Sequence, residues 1–190
     1  MKIGIYSGSF NPIHKGHTAL ADYLLKHTDL DEIHLLVSPH NPLKEKDNLL
    51  DDELRLQMAK LVVEDFRYLK VSEVEFALPK PSYTIQTLKY LTEKYPDDEF
   101  VLIIGADNLD VFHLWKDYRE ILDCYRVIVY PRKGYCASEL CQKYPQVEYI
   151  DAPLFDISSS EVREKTKNDE DISPFLHPKV GAFIKEKKLY

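Results

Sequence analysis

The spacing of apolar residues constrains this chain most, because it switches between a strand period and a helix period from one end to the other. Lys2–Tyr6 is a short apolar run of strand type, and in Gly16–Lys26 the residues Ala19, Leu20, Tyr23 and Leu24 share one helical face. Ile33–Val37 reads as a strand, and Asp51–Val63 as a helix whose acidic start suits the positive end of its dipole. The alternation continues through strand Leu69–Val74, helix Thr84–Lys94 and the fully apolar strand Phe100–Ile104. A helical region over Asn108–Leu122, strand Arg126–Tyr130, a helix near Ser138–Lys143 and strand Val147–Ile150 follow. Ser159–Thr166 and Pro178–Lys187 read as helices. Strands joined through helices must run parallel, so the pattern predicts an open parallel α/β sheet with helices on both faces. Residues 1–190 are expected to form a single domain, with a small C-terminal helical part from about 157 to 190.

Composition narrows the function. A 44% apolar content is enough for one core, and a net charge of −7 argues against a nucleic-acid binder, which needs a basic face. A small anionic ligand held by a few local donors stays open. No run of 18 apolar residues exists, so no membrane helix is expected. Met1–Tyr6 lacks the features of a signal peptide. Cys124, Cys136 and Cys141 are odd in number and match no zinc spacing, which suggests reduced thiols in a cytoplasmic protein. Homo-oligomer formation is left open.

In sheets of this kind ligands bind beyond the carboxyl ends of the strands. After the first strand stands Ser7-Gly8-Ser9-Phe10-Asn11-Pro12-Ile13-His14-Lys15-Gly16-His17. Gly8 lets the backbone approach a ligand and Pro12 stiffens the turn. His14 and His17, three apart at a helix start, can converge on one anion. Two histidines with no nearby third ligand make a poor metal site, so none is assigned. Near the other end, Ile157-Ser158-Ser159-Ser160-Glu161-Val162-Arg163 places serines at a helix start with Arg163 about one turn in, a pattern suited to phosphate.

The first segment resembles the H-x-G-H signature of the nucleotidyltransferase superfamily, Gly-x-Phe-Asp-Pro-x-His-x-Gly-His, with Asn11 in place of aspartate and Ser7 where a second glycine is common. The second resembles that superfamily's Ile-Ser-Ser-Thr-x-Ile-Arg motif, with Ser160 and Val162 as departures. In mid-chain, Gly105-Ala106-Asp107-Asn108-Leu109 followed by Phe112, Trp115 and Lys116 is similar to a block of the nicotinate-nucleotide adenylyltransferases, as is Ser82-Tyr83-Thr84-Ile85-Gln86-Thr87-Leu88. Pro39, Pro42 and Lys44 resemble the family's loop after strand two, Arg132 its Arg-x-Gly loop, and Leu189-Tyr190 the end of its last helix.

The resemblance implies a Rossmann-like nucleotidyltransferase fold and adenylyl transfer from ATP to nicotinate mononucleotide. Alternatives with the same chemistry are nicotinamide mononucleotide or, less consistent with the mid-chain block, phosphopantetheine. It implies that His14, His17 and Arg163 are catalytic. His17 would sit on the α-phosphate with His14 beside it, and Ser159, Ser160 and Arg163 on the leaving phosphates. Gly8, Ser9, Phe10, Gly105 and Ile157 would contribute to the ATP site, with Asp107 on ribose hydroxyls. Trp115 would face the pyridine ring, and backbone N–H groups around Thr84 and Lys116 the nicotinate carboxylate, with Tyr83, Lys44 and Arg132 as further mononucleotide contacts. Mg²⁺ would arrive with ATP. No nucleic acid or membrane partner is implied.

Overall fold

A computed structural model describes residues 1–38 and 49–190. Strand β1 (Lys2–Gly8) leads into helix α1 (Lys15–His27), then β2 (Glu32–Val37), α2 (Asp52–Val63) and β3 (Leu69–Ser72). A single helical turn, α3 (Val74–Ala77), precedes α4 (Thr84–Lys94) and β4 (Glu99–Gly105). Then come α5 (Ala106–Asp110), a 3₁₀ turn at Phe112–Leu114, α6 (Tyr118–Cys124), β5 (Arg126–Tyr130), α7 (Ala137–Lys143) and β6 (Glu148–Tyr149). Helices α8 (Ser159–Lys167) and α9 (Pro178–Lys187) follow.

Among the described residues, six strands lie in one sheet in the order β3-β2-β1-β4-β5-β6, and their pairings are parallel. Strand β4 shows why its sequence reads as an unbroken apolar run. Val101 and Ile103 pack into the core that contains Leu20, Leu24 and Val180, while Phe100, Leu102 and Ile104 pack into the opposite core with Leu88 and Phe112. A parallel strand buried on both faces has no solvent side to encode. Val162, Val180 and Ile184 from the last two helices, with Ile172 and Leu176 from their connection, share the first of these cores with the sheet. The strand order reverses between β1 and β4, so the crevice where ligands bind opens beyond Gly8 and Gly105.

Two expectations are corrected. The strand expected to run through Val74 stops at Ser72, and Val74 opens the short helix α3, which turns Glu75 inward to 4% exposure. The helical region expected over Asn108–Leu122 is broken in three, with Trp115 extended and Asp117 in the left-handed region at φ 51°. Apolar spacing survived the break because Phe112 still packs on Trp115, Tyr118 and Tyr144. Aspartate is among the few residues that adopt this conformation readily.

Candidate active site

The loop from β1 to α1 ends at His14, the N-cap of α1, which is buried and lies ring on ring with His17 at 3.7 Å between centroids. Gly16 suits this stacking, since a Cβ there would crowd Nδ1 of His14 at 3.0 Å. The His14 backbone N–H donates to Nδ1 of His17 at 3.1 Å. A backbone amide can only donate, so Nδ1 must accept and the ring proton of His17 sits on Nε2. The half-buried His17 is thereby held as an N–H donor. Burial, reinforced by the positive charge of Arg132, pulls the pKa of His14 down to about 4. At neutral pH His14 is therefore uncharged, able to donate from one ring nitrogen and accept at the other.

Both histidines line a cavity of about 620 Å³ together with Asp107, Arg132 and Ile157. Its opposite wall comes from the end of β5 and the segment before α8, including Tyr130, Leu154 and Phe155. Oδ1 of Asp107 is buried without a hydrogen bond, and Nε of Arg132 stands 3.4 Å away as an ion pair. Gly105 permits this arrangement, because a Cβ would come within 2.3 Å of that oxygen and 2.9 Å of Arg132 Cγ. Nδ1 of His14 is also buried with no hydrogen-bond partner. Buried polar atoms are nearly always satisfied, so two such atoms in one cavity mark a place built to receive polar groups.

Other expected residues support the wall rather than line it. Phe10 is buried at φ 45°, edge-on to His17 at 4.9 Å, and Gly8 lies directly against its ring. The carbonyls of the loop are turned onto donors from elsewhere. Ser9 O accepts from Arg55 Nη1 at 2.7 Å, Asn11 O from Arg163 Nη1 at 2.8 Å, and Pro12 O from Ser159 Oγ at 2.9 Å. Arg163 also donates from Nη2 to Ser160 Oγ at 3.1 Å, and Ser158 caps α8 by accepting from the N–H of Glu161. Carbonyl oxygens facing a polyanion would repel it, so occupying them elsewhere prepares the loop for phosphate.

A second cluster lies at the start of α4. Nζ of Lys116 sits 4.6 Å above the ring of Tyr83, the N-cap, and the half-buried Trp115 packs on Phe112 at 5.0 Å. Helix α4 begins at Thr84, whose N–H is among the first-turn groups without an intrahelical acceptor. None of Tyr83, Thr84, Trp115 or Lys116 lines the histidine cavity, whereas Arg132, expected with them, does. Lys44 lies outside the described residues.

The pattern of the cytidylyltransferase-like family matches residues 5–165. A Flavobacterium johnsoniae protein named "Probable nicotinate-nucleotide adenylyltransferase" is 46% identical over 191 residues, covering 100% of this chain and 99% of its own. A Bacteroides fragilis protein of the same name is 49% identical over 179 residues, covering 94% and 89%. The chain belongs to the nicotinate-nucleotide adenylyltransferase family. The fold of a Plasmodium falciparum nicotinic acid mononucleotide adenylyltransferase complexed with NaAD superposes with a TM-score of 0.83 at 22% identity, covering 100% of this chain and 97% of that one.

For a member of that family, three supporting residues were not apparent from sequence. Arg55, with no exposed surface, binds the carbonyls of Leu50, Ser9 and Ser38 and the Asp52 carboxylate. Burial pulls its pKa down while Asp52 holds it up. Glu75 accepts from Thr87 Oγ1 at 3.2 Å beneath the start of α4, and burial raises its carboxyl pKa against the hydroxyls around it. Tyr190 donates to Asn11 Oδ1 at 2.8 Å. Arg55 shares its helix with exposed Glu53 and Lys60, and Glu75 stands two residues from exposed Glu73, so spacing alone does not separate them. Tyr190 had one cue, the Leu-Tyr ending, with no role attached to it.

Proposed function

We propose that this chain transfers the adenylyl group of ATP to nicotinate mononucleotide, giving nicotinate adenine dinucleotide and pyrophosphate. The observation that carries the reading is the stacked His14–His17 pair in one cavity with Asp107 and Arg132 at the sheet's reversal point. The mononucleotide phosphate is itself the nucleophile, so the protein need supply only alignment and charge stabilisation. His17 Nε2–H donates to the α-phosphate as its negative charge is redistributed, with neutral His14 beside it. Arg163, through guanidinium N–H groups beyond those given to Asn11 and Ser160, and the Ser160 hydroxyl receive the departing pyrophosphate, and Asp107 accepts from ribose hydroxyls. Mg²⁺ enters as the counter-ion of ATP, part of the substrate.

At the other end, the ring of Trp115 and the first-turn N–H groups at Thr84 present an aromatic face and neutral donors. Donors of this kind favour a carboxylate, because an amide turns its own N–H groups against them. The test is turnover of ATP with nicotinate mononucleotide, nicotinamide mononucleotide and phosphopantetheine, each product identified by mass. The dinucleotide of the acid should form with the highest kcat/KM. Equal values for acid and amide would refute the specificity and leave adenylyl transfer intact. Product from phosphopantetheine alone would refute the reading.

A further inference from the structure

We propose that Tyr190 is a positioning residue for the phosphate end of the site, its hydroxyl acting through Asn11 on the alignment of Arg163. The proposal rests on the adenylyl-transfer reading above. Helix α9 ends at Lys187 and is capped by Lys188 in the left-handed region, with the N–H of Leu189 returned to Ile184 O at 3.1 Å. This cap turns the chain back over the core, where Leu189 and Tyr190 pack, and brings the phenol to the β1–α1 loop. There Tyr190 OH donates to Oδ1 of Asn11, a side chain only 5% exposed. The same oxygen accepts from the N–H of Leu50 at 3.3 Å, adjoining the Leu50 carbonyl that Arg55 holds. The backbone oxygen of that one residue, Asn11, carries Nη1 of Arg163.

Asn11 thus holds two elements at once: its side chain takes Tyr190 and its carbonyl takes Arg163. A carbonyl can aim a guanidinium only if its own peptide is fixed, and the side-chain bonds of Asn11 fix it. Arg55 and Arg163 both favour ionisation of the phenol, yet burial outweighs them and raises its pKa, so the hydroxyl remains a donor. Substituting phenylalanine removes that donor and keeps the ring.

The experiment compares wild type, Tyr190→Phe, Arg163→Ala and the double variant. ATP binding is measured by calorimetry, and turnover with ATP and nicotinate mononucleotide by product formation. Tyr190→Phe should lower kcat/KM for ATP and ATP affinity by about threefold to tenfold, the range for one hydrogen bond, with KM for the mononucleotide unchanged. In the Arg163→Ala background it should add nothing, since coupled residues are non-additive. A Tyr190→Phe protein matching wild type would overturn the proposal. So would a loss that persists undiminished without Arg163, which marks a merely structural tie, or a change confined to the mononucleotide. Should Tyr190→Phe lower thermal stability, the double variant still decides when all four proteins are measured at a temperature where each is folded. If wild type makes no dinucleotide, the functional reading fails by itself, and ATP calorimetry still judges Tyr190.

Discussion

The cavity proposed for the phosphates and the cluster proposed for the mononucleotide ring are held by different forces. At the phosphate end, hydrogen bonds from residues distant in sequence fix the loop: Arg163 and Ser159 from α8, Arg55 from α2 and Tyr190 beyond α9. At the mononucleotide end, Trp115, Phe112, Tyr83 and Lys116 are held by ring packing and one cation–ring contact. The difference matches the ligand proposed for each. Charge moves at the phosphates during reaction, so donors there must be fixed beforehand, whereas a pyridine ring needs only a flat apolar surface. Variants at the first end should therefore slow the reaction, with or without a loss of ATP affinity, and variants at the second should weaken mononucleotide binding alone.

The sharpest break is His17→Ala. Loss of the Nε2–H donor should reduce kcat by about 10²–10³, as for removal of one oxyanion donor, while the protein stays folded. Steady-state rates with a circular dichroism control measure this. A folded variant of near-normal kcat would remove His17 from the chemistry and end the contrast between the two regions.

His14 tests the same end through stability. Its folded pKa of about 4 lies below the usual 6.5, so above about pH 6.5 both folded and unfolded forms are neutral and it contributes no pH dependence. As pH falls from 6.5 to 4 the unfolded chain takes a proton that the folded protein refuses. Stability should drop across that window by about 3 kcal/mol and level off below it. Urea midpoints of wild type and His14→Asn between pH 7 and 4 check this, with a flatter profile expected for the variant. Parallel profiles would mean that the ring is solvated as a cation in the folded state.

How much of this was legible in the sequence differs between the two regions in the same way. Strand and helix order came through because both-face burial leaves runs such as Phe100–Ile104 that have few other readings. Of the residues expected at the ATP site, His14, His17, Asp107 and Ile157 meet in one cavity, while Gly8, Ser9, Phe10, Gly105, Ser159, Ser160 and Arg163 are not among those lining it. The supporting layer did not come through. Nothing local distinguishes buried Arg55 from the exposed charges of its helix, nor buried Glu75 from exposed Glu73, because their partners are carbonyls and hydroxyls brought in by tertiary folding. The break at Asp117 was hidden because the apolar spacing around it still matched a helix.

Arg163→Ala should have a smaller effect than His17→Ala, because the lost charged hydrogen bond is worth about 1.5–3 kcal/mol. The expected outcome is a higher KM for ATP together with a lower kcat, since pyrophosphate loses a partner both when bound and when leaving. KM for the mononucleotide should stay put. If that constant alone moved, Arg163 would belong to the other end, and the division drawn above would be misplaced.

Of the three alanine variants the mildest effect is expected from Trp115→Ala, which tests whether packing alone defines the mononucleotide end. Trp115 is half-buried, with one side of its ring system against Phe112. Removing it takes away the stacking surface and should weaken mononucleotide binding by about 1–3 kcal/mol, with base–aromatic stacking as the measured analogue. ATP affinity should barely change, since Trp115 packs on Phe112, which is buried in the core opposite the one that contains the β1–α1 loop residues Phe10 and Ile13. Trp115→Phe keeps an aromatic face and should recover most of the loss, which a role through the indole N–H would not allow. Calorimetric titration of each variant with the mononucleotide and with ATP separates the cases. An equal loss for both ligands would mean that Trp115 holds the whole cleft in shape, and that the two ends are coupled through the core they share.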